Sequence, residues 1–129
     1  MSKTALDLTP IEWQAYQPAK HSRDYLSQEE PQIVARQQQA RQVAQQAAQL
    51  LRAEFKAQRV VLFGSLVHES EFTLWSDIDL AAWGIPAHRF FAAVAAVTGL
   101  TPDFKIDLID PDTCRPGLKA AIEHDGLEL

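Results

Sequence analysis

The apolar positions change period four times along the chain. From about residue 29 to 57, Ile33, Ala40, Val43, Ala44, Ala47, Leu50, Leu51 and Phe55 recur at steps of three and four. That spacing predicts a long helix with one apolar stripe. Gln and Arg, both good helix formers, fill its other faces. Ser27 with Glu30 reads as a capping box at its start, and residues 19–26 read as a connector. Further upstream, Thr9, Pro10 and Glu12 have the form of a capped helix start, with Trp13 and Tyr16 on one face and Pro18 as the stop.

Downstream the pattern becomes strand-like. Val60 to Phe63 is a short apolar run ended by Gly64-Ser65, and a helical turn over 65–70 is expected after it. Asp77 to Trp83 alternates as a second strand. Pro86 opens a helix through Thr98, with Phe90, Phe91, Val94 and Val97 predicted to face inward and Gly99 as its stop. Phe104 to Ile109 is a third strand, closed by Asp110-Pro111-Asp112. A last helix is expected from Pro116 to Glu123, before a tail at Gly126. This order makes a small α/β (α+β) domain on a short sheet.

Composition narrows the class. The 129 residues are 47% hydrophobic and 22% charged, as in an ordinary globular domain. The tract 28–49 holds nine Gln, but its apolar period marks a packed helix rather than low complexity. One cysteine, Cys114, excludes an internal disulfide and a cysteine-rich zinc site, and is expected to be a buried or half-buried thiol. No signal-like leader and no membrane-spanning run are found, so a cytoplasmic location without membrane attachment is expected. Charge is uneven: residues 20–59 carry seven Lys/Arg against four acids, and residues 60–129 carry four against eleven. An acidic C-terminal half argues against direct nucleic-acid binding and suits a cation site.

Four pairs of acids sit one residue apart: Glu69/Glu71, Asp77/Asp79, Asp110/Asp112 and Glu123/Asp125. Only Asp77/Asp79 is set into an apolar strand. Ile78, Leu80 and Ala82 would take one face, leaving both carboxylates on the other, about 6–7 Å apart at Cα. Two such carboxylates suit a hard divalent cation, and magnesium takes one or two of them together with substrate phosphate. Gly64-Ser65, leaving the preceding strand, offers close backbone approach and a serine hydroxyl for an anion. Asp107, between Ile106 and Leu108, is the candidate third carboxylate, as metal ligand and general base. No Gly-Lys-Ser/Thr loop of the Walker type occurs.

The order strand, Gly64-Ser65, gap, Ser76-Asp77-Ile78-Asp79-Leu80, then Asp107 in "FKIDLID" resembles the minimal nucleotidyltransferases of the DNA polymerase β superfamily. Within them it is similar to the MntA-type antitoxins paired with HEPN-domain toxins. The likeness covers about residues 45–125. It implies a nucleotidyltransferase domain over 29–129, built as a small mixed sheet flanked by helices, with residues 1–28 as an N-terminal helical extension. It further implies Mg²⁺, ATP or another nucleoside triphosphate, and transfer of AMP to a tyrosine hydroxyl of a partner HEPN-type ribonuclease, with the two proteins forming a hetero-oligomer. By position, Asp77, Asp79 and Asp107 would be catalytic and hold metal, and Gly64, Ser65 and His68 would face the nucleotide. One departure stands out: relatives carry Arg and Gly where this chain has His68 and Glu69. An always-charged group has become one mostly neutral at pH 7.

Two other functions fit the same residues: an antitoxin that acts by binding alone, and an enzyme modifying a small-molecule hydroxyl. Of the remaining residues, His21, His88 and His124 are expected in solvent, and Glu71 and Asp110 in turns. Trp75 and Trp83 are expected to pack into the core.

Overall fold

The computed structural model describes residues 20–129, with side chains from residue 31 onward except that of Glu69. The helix expected at Thr9–Pro18 lies outside them. Helix α1, Lys20–Phe55, is followed by strand β1, Arg59–Phe63, strand β2, Ile78–Trp83, and helix α2, Phe90–Thr98. Strand β3, Ile106–Ile109, helix α3, Pro116–Asp125, and a two-residue strand β4, Leu127–Glu128, complete the chain. The strands form a four-stranded mixed sheet in the order β3-β2-β1-β4. β1 runs antiparallel to β2 and β4, while β2 and β3 are parallel. Among the described residues no helix is long and apolar enough to cross a membrane.

α1 buries the stripe that its sequence spells out. Ala40, Val43, Ala44, Ala47, Ala48, Leu51 and Phe55 join Val60, Leu62, Ile78, Leu80, Ala82, Ile106 and Leu108 from one face of the sheet. The small Ala side chains let this 36-residue helix lie close to the strands. It is about 54 Å long, at ~1.5 Å per residue, roughly three times a five-residue strand. α3 covers the other face, where Ile122 and Leu118 pack with Val61, Ala81, Phe63, Trp83 and Ile109. A sheet covered on both sides explains why β1 reads as a continuous apolar run.

Several expectations are corrected. The segment from residue 20 to 26 is helix, not connector, and Ser27 and Glu30 lie inside α1 rather than at its start. Residues 20–30 contain no glycine, and α1 runs through Pro31 although that residue cannot donate to the Ser27 carbonyl. The boundary drawn between residues 28 and 29 thus falls within one helix. Phe91 is 89% exposed. The inner side of α2 is taken by Ala93 and Val97 with Phe90 and Val94, and Phe91 sits about 100° round from Phe90.

Further along, a short helical turn at Ala87–Arg89 precedes α2, so Pro86 does not open the α-helix itself. β2 begins at Ile78 and β3 at Ile106, later than their apolar runs suggest. The tail past Gly126 is not loose, since Leu127 and Glu128 pair with Leu62 and Val61. Trp75 is 87% exposed, against the expected packing. Trp83 is half-buried beside α3, with Arg59 stacked on its ring 4.4 Å from the centroid.

Truncating Leu51 to Ala, at a fully buried site, is expected to cost about 2–5 kcal/mol. Phe91→Ser is expected to change stability by no more than about 0.5 kcal/mol. Urea unfolding of the two variants checks both, and comparable losses would contradict this assignment of inside and outside.

Candidate active site at the end of the sheet

β1 ends where β2 and β3 begin, so residues far apart in the chain meet at one end of the sheet. The register places Asp79 opposite Phe63 on one side and opposite Asp107 on the other. Alternation along β2 puts Ile78, Leu80 and Ala82 in the core against α1, and Asp79 on the opposite face. Asp107 obeys the same rule between buried Ile106 and Leu108. The two carboxylates therefore rise side by side from neighbouring strands, about 4.8 Å apart in the hydrogen-bonding direction.

Gly64 closes the third side. Its φ is +80°, in the left-handed region that favours glycine, and a Cβ there would run into the Asp79 carboxylate. Backbone thus touches the acid directly. Ser65, half-buried, follows within a short 3₁₀ turn, Gly64–Leu66, held by the Val67 amide donating to the Gly64 carbonyl at 3.2 Å. A second turn, Glu69–Glu71, comes separately, in place of the single helical turn expected over 65–70. The long gap before β2 is tied down by buried Leu66 and Phe72. Arg41 of α1 also donates to the Leu66 carbonyl, at 3.4 Å.

Asp77 immediately precedes β2 and is half-buried. Just before it, the Thr73 amide donates to Ser76 Oγ at 2.9 Å, and the Ser76 amide to the Thr73 carbonyl at 3.2 Å. Ser76 thereby fixes the turn that delivers Asp77. His68 is exposed, and no hydrogen bond or ion pair links its imidazole to the carboxylates among the described residues. Asp110 serves a turn, as expected, accepting from the Asp112 amide at 3.0 Å. His88 and His124 are exposed, and Cys114 is half-buried, also as expected.

Electrostatics single out Asp79. Its pKa is pushed up from 3.8 to about 6, first by burial, then by the charges of Asp107 and Asp77, with Lys105 pulling the other way. Lys105 is the residue that sequence reasoning passed over. Its position two before Asp107 was the available signal, because such spacing on an extended chain places both on one side. Among the described residues no group of three or more His, Cys, Asp or Glu is drawn together tightly enough to hold a metal ion as it stands. The donor chemistry nevertheless fits a hard divalent cation: three carboxylates at one sheet end, close enough for two of them to raise the pKa of the third.

No family model matches the chain, and no curated protein is significantly similar to it.

Two expectations follow. Gly64→Ala would force both the backbone and Asp79 to move, and is expected to cost about 1–3 kcal/mol in chemical denaturation. A fully neutral effect would mean that the close approach is absent. The raised pKa of Asp79 also has a sign. The folded protein holds this proton to higher pH than the unfolded chain does, so this group's contribution to stability falls as pH rises from about 3.8 through about 6. Asp79→Asn is accordingly expected to raise the melting temperature at pH 7.5 more than at pH 4. An equal shift at both would show that Asp79 titrates normally.

Proposed function

We propose that the protein is a magnesium-dependent nucleotidyltransferase that moves AMP from ATP to a hydroxyl, a tyrosine of a HEPN-type ribonuclease toxin, with release of pyrophosphate, and so acts as that toxin's antitoxin. The observation that carries this reading is the register of Asp79 beside Asp107 with Gly64 against the Asp79 carboxylate. The fold is then read as a polymerase β-like core, for which the mixed sheet with acids at the starts of β2 and β3 is the support. Asp77, Asp79 and Asp107 would hold Mg²⁺, which supplies charge neutralisation for the phosphates and activation of the attacking oxygen.

The protein's own residues divide the remaining work. The Gly64–Leu66 turn brings backbone and the Ser65 hydroxyl to the phosphate side of the site. Asp107, whose side chain is 44% exposed, would accept the proton of an incoming hydroxyl. Asp79, held in register between β1 and β3, would be the central ligand of the ion. His68, exposed after the turn, would face the nucleotide only from the solvent side. An antitoxin acting by binding alone is the second reading, favoured by His68 standing where relatives carry an arginine.

The test is transfer of label from α-³²P-ATP to a co-purified HEPN-type partner. The double variant Asp77→Asn/Asp79→Asn is expected to lower labelling at least ~10²-fold, the scale of losing a catalytic group. Unchanged labelling would remove the proposed role of these acids. Neutralisation of the toxin that survives in the double variant would favour the binding reading instead.

A further inference from the structure

Lys105 immediately precedes β3, two residues before Asp107. Its carbonyl accepts from the Ile78 amide at 2.9 Å, so its backbone is already fastened to the start of β2. Its side chain is not fastened. Nζ stands 3.7 Å from Asp107 Oδ1, and the side chain is 69% exposed. A charge-assisted hydrogen bond is about 2.7–2.9 Å long, so this is a loose ion pair on a flexible stem. Such pairs contribute little to stability and are readily exchanged.

The other cations near the turn are placed differently. Arg41 reaches Leu66, which packs in the core on the α1 side of the sheet, whereas Asp79 and Asp107 rise from the opposite face. His68 is exposed. Lys105 is the cation whose charge acts on Asp79, and it stands on the carboxylates' own side. A divalent ion on the acids would compete with the ammonium for Asp107. Released, the ammonium has three donors and needs an anion within the reach of its four-carbon stem.

We propose that Lys105 is the phosphate-binding cation of this site: it pairs with Asp107 in the free protein and turns to the polyphosphate chain of a metal-bound nucleotide. This rests on the nucleotidyltransferase reading, and supplies the permanent charge that His68 does not. The role is one of binding, so its readouts are affinities rather than turnover.

Isothermal titration with magnesium tripolyphosphate, and Mn²⁺ binding followed by electron paramagnetic resonance without nucleotide, test it on the wild-type chain, Lys105→Met and Lys105→Arg. Lys105→Met is expected to weaken tripolyphosphate binding roughly ten- to a hundredfold, the scale of one charged hydrogen bond, and to hold Mn²⁺ at least as tightly as the wild type. Lys105→Arg is expected to keep tripolyphosphate affinity within about threefold, since the charge remains. Equal tripolyphosphate affinity in Lys105→Met and the wild type overturns the proposal. Joint loss of Mn²⁺ and tripolyphosphate in Lys105→Met also overturns it, because Lys105 would then only hold Asp107 in place. A wild-type protein that binds neither probe sinks the nucleotidyltransferase reading itself, and the role of Lys105 with it.

Discussion

Parallel pairing of β2 with β3 holds two like charges next to each other, and much of the architecture answers that constraint. Asp79 and Asp107 occupy opposed positions in the ladder, and like charges directly opposite one another are destabilising. Neither can be moved by a small adjustment. A one-residue slip of either strand would carry its acid into the core against α1 and turn its apolar residues outward. The burial of Ile78, Leu80, Ile106 and Leu108 thus locks the carboxylates together. Burial first, and the charges of Asp107 and Asp77 after it, raise the pKa of Asp79.

That cost is concentrated at one end of the molecule, which is what a binding site for a cation or a proton requires. Elsewhere the same sheet is conventionally packed. The α1 face is built from Ala, Val, Leu and Ile, and α3 seals much of the reverse face through Ile122 and Leu118. Elsewhere Arg59 pairs with Glu128 and stacks on Trp83, and Arg89 donates to the Glu54 carbonyl at 2.7 Å. The sheet end with Gly64, Asp77, Asp79 and Asp107 differs in gathering negative charge with one loosely held ammonium. Functional readings concentrate there for that reason.

The turn after β1 contributes as much as the acids. Gly64 in a left-handed conformation lets the main chain turn away while touching Asp79, and Leu66 then plugs into the core two residues later. A tight turn anchored at both ends has little freedom to drift from the carboxylates. The intervening segment to Ser76 is pinned by Phe72 and by the hydrogen bonds between Thr73 and Ser76. Chain that reads as a long irregular gap is in effect two short turns between fixed points.

Periodicity by itself determined the helical stripe of α1, the three longer strands, and the face on which Asp79 and Asp107 lie, because alternation and the 3.6-residue repeat are local properties of the chain. It also singled out Gly64-Ser65 and three of the acids. Four things required the tertiary structure. The exposure of Phe91 and Trp75 depended on which side of α2, and of a loop, found partners. β4 is too short to announce itself, and exists because α3 returns the chain to the free edge of β1. The length of α1 upstream of Pro31 was set by continuity of the helix, not by a local cap. Finally, the meeting of Lys105 with Asp107 and Asp79 depended on strand order and register, since charge interactions fall off with distance and distance between strands is not written in either strand alone.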